Sequence, residues 1–106
     1  MNKSPRPYTK KEVKEMLLKQ IHVRCEYWAK ESRTTNTLEK LQGLAFSILV
    51  LLDGDSLELP KMDLVLRPHP SDKEFCEKEW RNWFKDGMII NADSLLHDDF
   101  YEKRNS

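Results

Sequence analysis

The sequence predicts a small, mainly α-helical (α+β) domain of three to four helices, with one central buried helix and one or two short strands. Three observations predict this class. The chain has 106 residues, enough for one domain and too few for two. Helix-start signals recur at Thr9, Asn36 and Ser71. The longest apolar run, residues 43–52, has a helix stop after it. We expect one domain over residues 9–102, between a disordered arm at 1–8 and a disordered tail at 103–106.

The first helix is predicted over residues 9–31. Thr9 with Glu12 three positions on forms a capping box. Apolar side chains then recur at three- and four-residue spacing, which is typical of an amphipathic helix: Val13, Met16, Leu17, Ile21, Cys25 and Trp28.

The second helix is predicted over residues 37–53, although its apolar centre at 43–52 also fits two other structures. A membrane span needs about twenty apolar residues, so this run is too short. A buried strand also fits, since periodicity alone does not distinguish a strand from a helix in so short an apolar run. Leu38 and Leu41 extend the helical period upstream, and Asp53-Gly54 is a good helix stop, so helix is favoured. Because the run is apolar on all sides, burial on all sides is expected.

The second half of the chain predicts shorter elements. Residues 62–66 and 88–90 fit short strands. Ser71 with Glu74 gives another capping box, followed by a predicted helix of three to four turns that carries Phe75, Cys76, Trp80, Trp83 and Phe84. Asp93 is expected to cap a last short helix.

Charge and cysteine content exclude several classes of protein. With 18 basic and 18 acidic side chains, the chain is not a general nucleic-acid binder, which needs a basic excess. Residues 1–30 nevertheless carry eight basic and three acidic side chains, so the remainder carries the opposite excess. Two isolated cysteines and an opening without an apolar signal segment indicate free thiols in the cytoplasm. We expect no membrane association and a homo-oligomer, most simply a dimer, because so short a chain barely surrounds one wholly apolar helix.

The richest candidate site is an anion-binding segment around the start of the third helix. Arg67, His69 and Lys73 are cations or donors beside Ser71, where free backbone N–H groups of a helix start would point at a ligand. Trp80 and Trp83 offer stacking surfaces for a base, and Arg81 a further cation. The alternative is that Ser71 only caps its helix and both tryptophans belong to the core.

A second candidate site is acidic and combines two segments whose side chains could bind a metal ion. Asp53, Asp55, Glu58 and Asp63 lie close in sequence, and His97-Asp98-Asp99 follows later. The spacing matches no specific metal template, and no serine-nucleophile motif occurs. We therefore expect no catalytic residue, no metal and no cofactor.

Several segments together resemble a family of small, uncharacterised proteins of bacteriophages and prophages. The segments are residues 39–54 (EKLQGLAFSILVLLDG), 68–74 (PHPSDKE), 81–83 (RNW) and 96–100 (LHDDF). The resemblance covers about residues 10–101, and Arg81 departs from the acidic residue typical of the family. It implies a phage accessory gene acting in the cytoplasm of a bacterial host, where such genes often counteract host defences.

Three functional hypotheses follow. The first is a non-enzymatic accessory protein that sequesters a small anionic ligand, such as a nucleotide signal, at Arg67–Lys73 with the tryptophans nearby. The second is an inhibitor of a host defence or regulatory protein, docked through the basic first helix or the acidic C-terminal segment. The third is a small metal-dependent hydrolase that uses His69, His97 and the acids of residues 53–63.

Overall fold

The computed structural model describes residues 5–104, which form four helices. They are α1 (Lys10–Lys30), α2 (Thr37–Leu52), α3 (Asp72–Lys78) and α4 (Leu96–Arg104). The prediction of a mainly helical chain is confirmed. Parts of the expected arm and tail, residues 1–4 and 105–106, lie outside the described residues. Helix α4 continues past the predicted domain end at 102.

Helix α1 begins where the sequence predicts. The Thr9 side chain accepts from the Glu12 backbone N–H at 3.2 Å, and the Glu12 carboxylate accepts from the Thr9 backbone N–H at 2.8 Å, which completes the capping box. Hydrogen bonds from Arg6 and then from Thr9 lower the pKa of Glu12 to about 2. The start of α1 is therefore set by local contacts alone.

Helix α1 packs closely on α2 around one glycine. The indole Nε1 of Trp28 donates to Ser47 Oγ at 3.1 Å, and Arg24 Nε donates to the Ser47 carbonyl at 3.2 Å. A Cβ on Gly43 would lie 2.5 Å from the Trp28 ring, closer than packed atoms approach. The small residues Gly43 and Ser47 thus admit α1 of the same chain.

Helix α2 is central but less buried than its composition predicts. Asn36 caps its start by accepting from the Glu39 N–H at 3.1 Å, and Gly54 follows its end with a φ of 78°. It contacts both α1 and α4. Only Gly43 and Leu51 of its residues are buried, so the expected burial on all sides is not found in a single chain. No helix within residues 5–104 is long and apolar enough to cross a membrane.

Helix α4 is attached to the end of α2 by Asp53. The Asp53 carboxylate accepts from the backbone N–H groups of Leu96 at 3.0 Å and His97 at 2.8 Å. Asp93 was predicted to cap this helix, and that prediction is wrong because a carboxylate distant in sequence takes the position. Phe46 of α2 packs edge-on against the rings of His97 and Tyr101.

The two predicted strands reduce to one antiparallel bridge, between Val65 and Ile89. Leu66 N–H donates to the Met88 carbonyl at 2.9 Å, and Ile90 N–H donates to the Leu64 carbonyl at 3.0 Å. The described residues contain no longer strand, and Pro68, which has no N–H, lies two residues after Leu66.

Helix α3 is shorter than predicted and starts differently. The Ser71 side chain makes no capping hydrogen bond, so the predicted capping box is wrong. The helix ends at Lys78 because Trp80 adopts a left-handed conformation with a φ of 55°. Arg81 N–H then donates to the Cys76 carbonyl at 2.9 Å and Trp80 N–H to the Glu77 carbonyl at 3.2 Å, the pattern of a Schellman C-cap. Trp83 and Phe84 therefore lie in a loop.

Candidate functional site

A cleft of about 370 Å³ lies between the 68–70 segment, α3 and the 83–86 loop. We call it the lysine–tryptophan cleft. Its lining consists of Pro68, His69, Pro70, Lys73, Trp83, Phe84, Lys85 and Asp86.

The backbone around the Val65–Ile89 bridge places the two walls of the cleft opposite each other. Gly87, with a φ of 84°, donates its N–H to the Leu66 carbonyl at 2.8 Å. Arg67 and Asp86 form an ion pair of 3.1 Å across this junction. Because both side chains are exposed, the pair adds little stability, but it neutralises the one acid of the lining.

Lys73 and Trp83 meet inside the cleft. The Lys73 ammonium lies 5.4 Å from the centroid of the Trp83 ring, within the range of a cation–π contact. Lys73 also lies 4.0 Å from Glu77, one turn further along α3. A cation and an indole ring therefore lie side by side within one cleft.

His69 is held in one orientation by its neighbours. Its Nδ1 accepts from the Ser71 backbone N–H at 3.1 Å and lies 2.7 Å from Ser71 Oγ. The His69 backbone N–H donates to the Asp72 carboxylate at 3.2 Å. Since Nδ1 is an acceptor, the neutral ring carries its proton on Nε2, which is then the group that can donate to a ligand.

The structure brings together three of the six predicted ligand-binding residues. His69, Lys73 and Trp83 line the cleft. Ser71 positions the His69 ring, and Arg67 pairs with Asp86 beside the cleft. Trp80 does not line the cleft, and 97% of its surface is exposed, so its predicted role in stacking loses its geometric basis.

The structure also corrects the predicted second cation and the predicted role of the α3 start. The second cation at the cleft is Lys85 and not Arg81. The start of α3 is not an open anion site, because Asp72 and Glu74 occupy its first turn and offset the positive end of the helix. Phe84, Lys85 and Asp86 were missed because the sequence predicts a helix through Phe84, and only the loop after Lys78 turns them towards His69.

The acidic cluster of the sequence surrounds His97. His97 Nδ1 lies 2.6 Å from Asp53, while its Nε2 lies 3.5 Å from Asp55 and 3.4 Å from Asp98. Burial of Asp53 disfavours its charged form, but the hydrogen bonds from His97 and Leu96 outweigh that effect, so its pKa lies below the usual range. The cluster therefore joins α4 to α2.

The hydrolase hypothesis required His69 and His97 in one site. They lie in separate clusters, one around Ser71 and one around Asp53. Within residues 5–104, no group of three or more His, Cys, Asp or Glu side chains is arranged to hold a metal ion. The hydrolase hypothesis therefore has no assembled site among the described residues, and the lysine–tryptophan cleft is the better candidate site.

Comparison of this chain with family models, with curated proteins and with solved structures finds no match. The resemblance to phage and prophage proteins therefore stays a prediction from the quoted motifs.

Proposed function

We propose that this chain is a non-enzymatic binding protein that takes a small anionic ligand with a planar ring, of the nucleotide type, in the lysine–tryptophan cleft. The observation that carries the proposal is the Lys73 ammonium, 5.4 Å from the Trp83 ring centroid in one cleft. A phosphate group pairs with an ammonium, and a base stacks on an indole. Both groups are available here to one molecule.

The size and charge of the cleft support this ligand class. A volume of about 370 Å³ falls within the usual range of small-molecule sites and suits a mononucleotide. Lys73 and Lys85 supply two positive charges, while the acid Asp86 is paired with Arg67. The Nε2–H of a neutral His69 adds a directional donor. An anion is thus favoured over a neutral or cationic ligand.

The biological setting comes from the motif resemblance. An accessory protein of a phage or prophage acts in the cytoplasm of a bacterial host. Sequestering a nucleotide signal there would counteract a host defence that depends on that signal. The cleft is the basis for the proposed ligand class, and the motif resemblance is the basis for the proposed biological setting.

The test is isothermal titration of the full chain with mononucleotides, dinucleotides and cyclic nucleotides, together with inorganic phosphate. We expect at least one nucleotide to bind more tightly than phosphate, because Trp83 contributes only when a ring is present. Lys73→Ala should weaken binding at least tenfold, since it removes the ammonium that pairs with the anionic group of the ligand.

Lys78→Ala is the matched control. Lys78 lies on the same helix, is similarly exposed and pairs with Glu74 at 3.4 Å, but it does not line the cleft. We expect this variant to bind as the unmodified chain does. Silence across the whole panel, or equal losses in the two variants, would remove the ligand proposal and favour the protein-inhibitor hypothesis.

A further inference from the structure

An apolar stripe runs along the face of α2 that is opposite Gly43, and it borders α1 at Leu41. Its members are separated by three, four, three and four residues, which places them on one face of a helix: Leu38, Leu41, Ala45, Ile48 and Leu52. Gly43 and Ser47 face α1, and Phe46 contacts α4. Leu38 and Leu41 are 63% and 57% exposed, and the other three are largely covered but keep some exposed surface. We call these five residues the α2 stripe.

A single chain buries too little surface for a stable domain of its size. The chain exposes 9049 Å², whereas a compact protein of 12.6 kDa exposes about 6,200 Å². Its radius of gyration is 18.3 Å, against about 13 Å for a compact domain of this length. Among the hydrophobic residues described, only Leu51 and Leu59 are buried. This excess is larger than the roughly 1,000–2,500 Å² that each subunit of an obligate dimer buries, so a dimer interface could cover a large part of it.

The charge distribution favours a second copy of the same chain as the occupant. Residues 1–30 carry a net charge of +5, and the remaining residues carry −5. None of the ion pairs found within residues 5–104 joins α1 to an acid after residue 85. Among the residues that the structure describes, α1 and the acidic C-terminal end are therefore not paired with each other, and two copies of a neutral chain can meet without net repulsion.

We propose that the chain forms a homodimer in which α2 of one copy packs antiparallel on α2 of another, with Ala45 at the two-fold axis. The stripe extends seven residues on each side of Ala45, so Leu38 of one copy lies over Leu52 of its partner. The small Ala45 lets the helices approach closely at their crossing. An apolar groove of about 240 Å³ beside Leu41, lined by Trp28 and Leu44 among others, receives a side chain of the partner.

The first test measures molecular mass by analytical ultracentrifugation over a range of concentrations. We expect about twice 12.6 kDa at micromolar concentration, and a melting temperature that rises with concentration. Leu41→Asp should weaken association at least about 100-fold by placing a charge in the interface. The control is Leu18→Asp on α1, where the leucine is 50% exposed and lies outside the stripe; it should remain a dimer.

The second test fixes the orientation and does not depend on a destabilising variant. In a Cys25→Ser/Cys76→Ser background, Ala45→Cys should form an intermolecular disulfide under mild oxidation, because two copies of residue 45 meet at the axis. Leu38→Cys should not, since antiparallel packing separates the two copies of residue 38 by about 21 Å. Cross-linking at both positions would overturn the antiparallel arrangement. A cooperatively folded monomer at all concentrations, or a dimer unaffected by Leu41→Asp, would overturn the proposal itself.

Discussion

Trp80 occupies a backbone conformation that normally belongs to glycine. With a φ of 55°, it fills the position after the C-cap of α3, and almost all of its surface is exposed. A side chain with a Cβ is strained there, and this indole gains no packing in return. We expect Trp80→Gly to stabilise the chain by about 0.5–1 kcal/mol.

Chemical denaturation of Trp80→Gly and the unmodified chain, followed by circular dichroism, measures this difference. Asn82→Gly is the control, because residue 82 has no positive φ and glycine there should destabilise or have no effect. A loss of stability in Trp80→Gly would mean that the indole makes contacts that outweigh the strain. Since Trp80 lies outside the cleft, ligand binding should be unchanged in this variant.

Sequence reasoning identified part of the candidate site at this scale. His69 and Lys73 lie four positions apart beside a helix start, so local chain geometry brings them together. Trp83 joins them only because the chain reverses after Trp80, and no sequence rule predicts a left-handed tryptophan. Lys85 was missed for the same reason: its place in the cleft depends on that reversal and on the pairing of residues 64–66 with 87–90.

The junction of α2 and α4 depends on one ionised carboxylate. The pKa of Asp53 is lowered in the folded chain, so its contribution is present above its ordinary value of about 4 and is lost as the pH falls through the lowered value. We expect the free energy of unfolding to decrease below about pH 4, as α4 loses the acceptor for its first N–H groups.

Asp53→Asn tests this dependence. An amide oxygen accepts fewer and weaker hydrogen bonds, so the variant should lose about 1–2 kcal/mol at pH 7 and show a smaller further loss on acidification than the unmodified chain. Urea denaturation between pH 2.5 and pH 7 measures both. Asp63→Asn, which changes an exposed carboxylate, should follow the unmodified chain. Parallel curves for all three proteins would exclude Asp53 as a source of the acid sensitivity.

At the scale of elements, helix starts with local caps were predicted well and the later elements were not. Thr9 and Asn36 bond within three residues, so their sequence spacing contains the whole signal. The start of α4 depends on Asp53, 43 positions before Leu96, and this long-range bond has no local signature. The predicted strands are not formed at full length, because their pairing is confined to the Val65–Ile89 bridge, shortly before Pro68.

The whole molecule divides into a helical unit, made of α1, α2 and α4, and a less tightly packed cleft segment, residues 54–95, which contains α3. Helices α1, α2 and α4 contact one another through α2, whereas α3 packs against none of the three. Asn91, which is fully buried, ties the base of the cleft segment: it accepts from the Leu64 N–H at 2.9 Å and donates to the Met62 carbonyl at 2.8 Å. This amide therefore joins the two ends of the cleft segment to each other, and the Met62 N–H, which donates to the Leu52 carbonyl at 2.8 Å, joins that segment to α2.

We expect amide hydrogens of α3 to exchange at least tenfold faster than those of α2, because local opening of α3 disrupts few contacts. Hydrogen exchange followed by mass spectrometry measures both segments in one experiment. A ligand of the cleft should slow exchange in α3 and the 83–86 loop and leave the start of α1 unchanged. Equal protection of α2 and α3 without ligand would indicate a single cooperative unit instead.

The contact of Asp53 with Leu96 and His97 also has a consequence for how the chain can be divided. The polypeptide leaves the helical unit at Asp53 and returns to the same place at Leu96, so the whole cleft segment is an excursion between two adjacent points. Insertions of this kind tolerate changes in length, because the ends that they join are already close. We therefore expect the exposed loops of this segment to tolerate changes in length with α4 still packed on α2, provided that the buried Leu59 and Asn91 are kept. The chain is in this sense modular: three helices form the scaffold, and the exposed part of the cleft segment can vary.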